Sequence, residues 1–128
     1  MKQIVTARGS VSETAERLTD ALQKRKFGVL HVHDLKKTLT SKGVPFGPEC
    51  RVLEVCNPQQ AAKVLTDDID LNMALPCRIS VYEKGGQTRI GMLSPKAMLA
   101  ELSESPALEA VAEEVESVLV DAIEDAAR

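Results

Sequence analysis

Two cysteines have the residue type and position that chemistry would need. Cys56 ends a β-branched run and is followed by Asn57, a good helix cap, and by Pro58 at the first helical position. A thiol at a helix start feels the positive end of the helix dipole and free backbone amides, which both favour the reactive thiolate. Cys77 follows Pro76 at the start of a later strand, so the two thiols would meet if these strands are neighbours. We therefore predict a ligand-binding or redox site flanked by Cys56 and Cys77, beside the helix that Asn57 opens, for a small thiol, a soft metal or an oxidant.

The same cysteines have a simpler interpretation as small core side chains, because free cysteine is among the most buried residue types. Cys50 fits that structural role. His31 and His33 lie on one side of a predicted strand, a spacing that can bring two imidazoles to one metal ion. No third ligand is evident, so no metal is assigned, and the pair is a metal candidate only if Cys56 or Cys77 joins it.

The sequence lacks the common motifs of catalytic and nucleotide-binding sites. It contains no Ser-His-Asp set, phosphate loop, nucleotide fingerprint or CxxC motif. A cysteine-dependent enzyme with Cys56 as nucleophile and His33 as base is left as a third alternative, provided that the two side chains come within about 3 to 4 Å. The sequence leaves the identity of any cofactor unknown.

Composition narrows the class of protein. The chain has 128 residues, which suits a single domain over 1–128. With one Tyr, two Phe and no Trp, it has little to stack on bases, so nucleic acid is not an expected partner. The amino terminus lacks an apolar signal run and no segment is apolar enough for a membrane helix, so we expect a cytoplasmic protein. Three cysteines, an odd number, in a reducing compartment indicate free thiols or a transient redox pair and not a disulfide framework.

Local patterns predict about five strands with helices between most of them. Ser10 and Glu13 have the spacing of a capping box, and Gly28 is expected as the left-handed cap of the first helix. Gly85-Gly86 between two alternating runs is typical of a hairpin. The spacing of the first strands would permit parallel pairing, so we predict an α+β two-layer sandwich whose mixed sheet carries helices on one face.

A long C-terminal helix opens at Ser105-Pro106. Its apolar stripe runs from Leu108 to Ile123, and acidic residues occupy the opposite side. The stripe either covers a sheet face or meets a second copy. A non-catalytic homodimeric scaffold, using this stripe or an exposed sheet edge, is therefore the second functional hypothesis.

Several short motifs resemble the family called domain of unknown function 302 over about residues 9 to 99. The matching residues are Phe27-Gly28-Val29-Leu30, Asp34, Lys36, Cys56-Asn57-Pro58, Ala61 and Leu75-Pro76-Cys77. The resemblance implies a compact α+β fold that often forms homodimers, without an established activity. It points to Cys56, Asn57, Pro76 and Cys77, whereas His31, His33 and Cys50 depart from the family pattern.

Overall fold

Ten regular elements and one 3-10 helix follow one another along the chain. The computed structural model describes residues 1–128. The strands are β1 (Lys2–Ala7), β2 (Gly28–Asp34), β3 (Cys50–Cys56), β4 (Cys77–Lys84) and β5 (Gln87–Leu93). The helices are α1 (Val11–Gln23), α2 (Leu35–Ser41), α3 (Pro58–Asp67), α4 (Pro95–Leu102) and α5 (Pro106–Ala127), and a 3-10 helix (Ile69–Ala74) lies between α3 and β4. The α+β class, the five strands and the long C-terminal helix are confirmed.

The five strands form one sheet in the order β1-β5-β4-β3-β2. All four neighbouring pairs are antiparallel, so the predicted mixed sheet is wrong. β1 and β2 run in the same direction, as a βαβ spacing suggests, but they lie at opposite edges of the sheet. The other three strands fill the space between them, and no parallel pair forms.

Two separate apolar cores are packed against the sheet and between the helices. The main core joins one sheet face to α1 and α5, with fully buried Leu18, Leu53, Ile79, Ile90 and Leu119 among its members. A satellite core lies beside it and consists of Val64, Leu71, Leu99, Leu108 and Ala112. The opposite sheet face carries no such cluster, and side chains there such as Ile4 and Leu93 are about half exposed.

The apolar stripe of α5 is used within the chain. Leu108 and Ala112 belong to the satellite core, and Leu119 and Ile123 belong to the main core. Because these side chains are already buried, the stripe is not available as a dimer interface. That part of the scaffold hypothesis is wrong, and the alternative that the stripe covers a sheet face is confirmed.

Most local signals act where the sequence places them. Ser10 and Glu13 form the capping box of α1, and Gly85 and Gly86 turn β4 into β5 with φ angles of 61° and 75°. Gly28 is not a left-handed cap, because Lys26 takes that conformation with φ 65° and Gly28 already belongs to β2. No helix is both long and apolar enough to span a bilayer.

Candidate functional site

A cavity of about 310 Å³ opens where the two cores meet, at one end of the sheet. Its wall is mainly apolar, since 13 of the 18 residues that line it are hydrophobic. The main core contributes Phe27, Val55 and Val115, and the satellite core contributes Val64, Leu99 and Ala112. The boundary between the main core and the satellite core, here called the seam, therefore has room for a small molecule.

The four residues singled out by sequence all line this cavity. β3 and β4 are neighbours, and Val55 pairs with Cys77, so Cys56 lies one residue along the ladder from the partner of Cys77. Asn57 and Pro76 complete the same end of the sheet. The structure thus brings Cys56, Asn57, Pro76 and Cys77 together, and their role in binding stays a prediction.

The helix start beside Cys56 is already saturated. The Asn57 side-chain oxygen accepts hydrogen bonds from the backbone amides of Gln59 at 3.0 Å and Gln60 at 3.1 Å. Pro58, the first helical residue, has no amide hydrogen to donate. No amide of the first turn is therefore left for the sulfur of Cys56.

Both thiols of the cavity are held in the neutral form. Burial raises the pKa of the Cys56 thiol, with no opposing contribution from the helix start. Burial raises the pKa of Cys77 to about 11, and the neighbouring Cys56 adds to this effect. The cap takes the amides that the sulfur would need, and burial acts against the charged form, so the geometry does not favour the reactive thiolate expected at the start of α3.

One residue of the cavity wall, Gln60, has a polar side-chain atom without a partner. Its side-chain oxygen Oε1 is buried and makes no hydrogen bond. Gln60 lines the cavity as the third residue of α3, whereas its neighbour Gln59 is exposed. A side chain at this position can accept a hydrogen bond from the cap amide, but the structure contains no such bond. An unpaired buried amide oxygen is costly unless a donor reaches it.

The histidines lie away from the cavity. His31 and His33 share the uncovered face of the sheet, with ring centroids 4.5 Å apart, and His33 Nε2 lies 3.5 Å from Glu54 Oε1. His33 pairs with Val52, four residues from Cys56 along β3, which is about 13 Å. His33 is therefore too far to act as base for Cys56, and that version of the enzyme hypothesis is wrong.

Metal ligation by the same residues finds no support in the geometry. No group of three or more His, Cys, Asp or Glu side chains has an arrangement that could hold a metal ion. The two histidines are not joined by Cys56 or Cys77, which was the condition for the metal hypothesis. Cys50 lies at the other end of β3 opposite Tyr82, and burial followed by the nearby Asp34 raises its pKa.

The chain is thus a small α+β domain, with a single antiparallel sheet, helices on one face of it and an apolar cavity at its end. The sequence model of the family described as domain of unknown function DUF302 matches residues 3–126, so the chain belongs to the DUF302 family. The resemblance drawn from the short motifs is thereby confirmed and extended over nearly the whole chain.

A solved structure has the same architecture throughout. The crystal structure of an uncharacterized conserved protein DUF302 from Bacillus stearothermophilus is 35% identical to this chain, with a TM-score of 0.92. The likeness covers 99% of this chain and 98% of the other. No curated protein matches the chain.

Proposed function

We propose that this protein binds a compact, uncharged, mainly apolar molecule in the cavity between its two cores. The observation that carries the proposal is an apolar cavity whose wall includes Gln60, a residue with a buried side-chain oxygen, Oε1, that has no hydrogen-bond partner. The apolar wall supplies most of the binding free energy, and the acceptor fixes the orientation of one N–H or O–H donor on the ligand.

The size of the cavity limits the size of the ligand. An apolar cavity of about 150 Å³ accommodates benzene, so a volume of about 310 Å³ suits a molecule of roughly two fused rings. Ligands of this size are buried on most sides, which lets each apolar atom contribute to affinity. Indole, a bicyclic apolar molecule with one N–H donor, is therefore a suitable probe.

The neutral thiols narrow the ligand classes considered from sequence. A soft metal and an oxidant both react best with thiolate, and burial disfavours the thiolate of Cys56 and Cys77. We propose instead that the two sulfurs act as polarisable apolar parts of the wall. This role needs no change of protonation when the ligand binds.

The test is a titration with indole followed by the fluorescence of indole itself. The chain has no tryptophan, so the signal comes from the ligand. We expect saturable binding that weakens at least tenfold in Ala61→Leu, since Ala61 lines the cavity and the larger side chain fills it. Ala62→Leu is the matched control, because Ala62 is exposed on the same helix and does not line this cavity.

A second comparison tests the acceptor. 1-Methylindole keeps the two rings but lacks the N–H donor, so it should bind about fivefold more weakly, the value of a net hydrogen bond near 1 kcal/mol. Binding of indole that is absent, or equal in Ala61→Leu and the wild type, would contradict the proposal.

The homodimer stays a prediction beside this function. The stripe of α5 is occupied, which leaves an edge strand, β1 or β2, as the interface that the scaffold hypothesis named. Light scattering at micromolar concentration measures the mass directly, and a mass of one chain excludes the scaffold.

A further inference from the structure

Residues 68–76, here called the strap, connect α3 to β4 and contain the 3-10 helix. The hydrogen bonds of residues 69–76 are made within the strap itself. The Leu71 amide donates to Asp68 O, the Leu75 amide to Asn72 O, and the Asn72 side chain to Ile69 O. The strap begins where the Asp68 amide donates to Val64 O at the end of α3, and it ends where β4 joins the sheet at Cys77.

No hydrogen bond or ion pair ties residues 69–76 to the rest of the protein. The ion pairs of the chain lie elsewhere, and the only side-chain hydrogen bonds of the strap are internal. The strap is held by apolar contact alone, above all by Leu71, which is 2% exposed in the satellite core. Ile69 and Met73 point outward and are 66% and 78% exposed.

The strap forms a wall of two cavities. Asn72, Leu75 and Pro76 line the cavity at the seam of the cores. Met73, Ala74, Leu75 and Pro76 line a second cavity of about 400 Å³, which is more polar because Glu54 and Arg78 also reach it. Displacing the strap would join these two spaces and widen the mouth of the apolar cavity.

We propose that the strap is a lid that opens by local unfolding to admit and release the ligand. The proposal rests on the proposed function for the identity of the ligand. The opening of the strap, however, can be measured in the absence of any ligand. A segment without hydrogen bonds to its surroundings, held by buried Leu71 and by the partly buried Ala74 and Leu75, opens at lower free energy than the strands and α5. Its two ends are fixed by α3 and β4, so opening withdraws Leu71 from the satellite core and leaves the main core in place.

Hydrogen exchange measures the opening without a ligand. We expect the amides of Leu71 and Leu75 to exchange at least tenfold faster than those of Leu119 and Ala122 in α5, which report global unfolding. Leu71→Ala should speed the strap amides at least tenfold further, and Leu71→Val should do so to a smaller extent. Leu22→Ala is the control, because this fully buried main-core leucine lowers global stability without touching the strap.

Ligand kinetics connect the opening to binding. Stopped-flow mixing with indole should show an association rate that rises in Leu71→Ala by about the same factor as the exchange of the strap amides. The rate should be unchanged in Leu22→Ala. Saturating indole should slow the exchange of Leu71 and Leu75.

Two results would overturn the lid. In one, the strap amides exchange only as fast as those of α5, so that the strap opens only on global unfolding. In the other, Leu71→Ala speeds strap exchange and leaves the association rate of indole unchanged. A wild-type protein that does not bind indole refutes the proposed function alone, since strap exchange decides the opening in either case.

Discussion

Gln60 has a structural cost that a hydrogen-bond donor would offset. Its amide oxygen is buried without a partner, a situation that costs about 1–3 kcal/mol in folded proteins. Other buried side-chain atoms without a partner are nitrogens of residues that do not line the cavity. Gln60 is therefore the residue at which an unpaired buried polar atom and the cavity wall coincide.

Replacing Gln60 with leucine should raise stability and remove ligand discrimination. We expect Gln60→Leu to increase the free energy of unfolding by about 1 kcal/mol, because an apolar side chain of similar size needs no partner. The preference for indole over 1-methylindole should disappear in the same variant. Urea unfolding and the two titrations measure these effects, with the exposed Gln59→Leu as control. A destabilised variant that keeps the preference would show that Gln60 plays neither role.

Cys77 should make stability depend on pH in the alkaline range. Its folded pKa of about 11 exceeds the ordinary value of 9.0, so the unfolded chain loses the thiol proton first as pH rises. The stability present below pH 9 should fall by about 1.4 kcal/mol per pH unit up to pH 11, or roughly 2–3 kcal/mol in total.

Urea unfolding at several pH values measures this loss against Cys77→Ala, which lacks the titrating thiol. The variant is less stable near neutral pH because it enlarges the cavity, but its stability should fall less steeply between pH 9 and pH 11. Parallel curves for the two proteins would show that Cys77 is not held neutral by folding.

At the scale of elements, α3 owes its start to Asn57. One side-chain oxygen satisfies two amides of the first turn, so we expect Asn57→Ala to lower the free energy of unfolding by about 1 kcal/mol. Asn57→Ser should cost only a few tenths, since serine caps almost as well. Thermal unfolding of the three proteins measures this. An equal loss in both variants would mean that Asn57 acts through cavity packing and not through the cap.

Local signals made several elements predictable from sequence, because the interactions that set them span only a few residues. Ser10 caps α1 with Glu13, and the Gly85-Gly86 pair supplies the positive φ angles of a tight hairpin. The 3-10 helix of the strap was not predicted, because its six residues have no apolar period, although Asp68 caps it.

The arrangement of elements depends on contacts distant in sequence and was harder to predict. The pairing of β3 with β4 brings Cys56 near Cys77, and sequence could state this only as a condition. The antiparallel placement of β2 could not be read from a βαβ spacing. The protonation state of Cys56 also depends on the Asn57 cap and on burial in the cavity wall. A cysteine at a helix start was therefore not enough to predict it.

At the scale of the whole molecule, the Arg17 side chain joins the carboxyl end of α5 to the end of β1. Its Nε donates to the Ala126 carbonyl at 2.9 Å, and its Nη2 donates to the Arg8 carbonyl at 2.6 Å. The same Nη2 donates to Thr14 Oγ1 at 3.1 Å, and Thr14 is fully buried. α1, the end of β1 and the carboxyl end of α5 are therefore joined at one side chain.

We expect Arg17→Met to lower the free energy of unfolding by about 1.5–3 kcal/mol, because the Ala126 carbonyl loses its charged donor and the Arg8 carbonyl keeps only the Thr14 hydroxyl. Lys24→Met is the control, since Lys24 is exposed at the end of the same helix and its side chain makes no hydrogen bond. Its cost should be a few tenths of a kcal/mol. Guanidinium unfolding of both variants measures the difference. Equal losses in the free energy of unfolding would show that Arg17 does not stabilise the protein by joining α5 to β1.

The seam between the two cores is the central feature of this account, and nuclear Overhauser effects from bound indole test it most directly. Val64 belongs to the satellite core and Val115 to the main core, and both line the cavity. We predict contacts from one indole molecule to the methyl groups of both valines. Contacts confined to Ile4 and Leu93 on the uncovered sheet face would contradict the account.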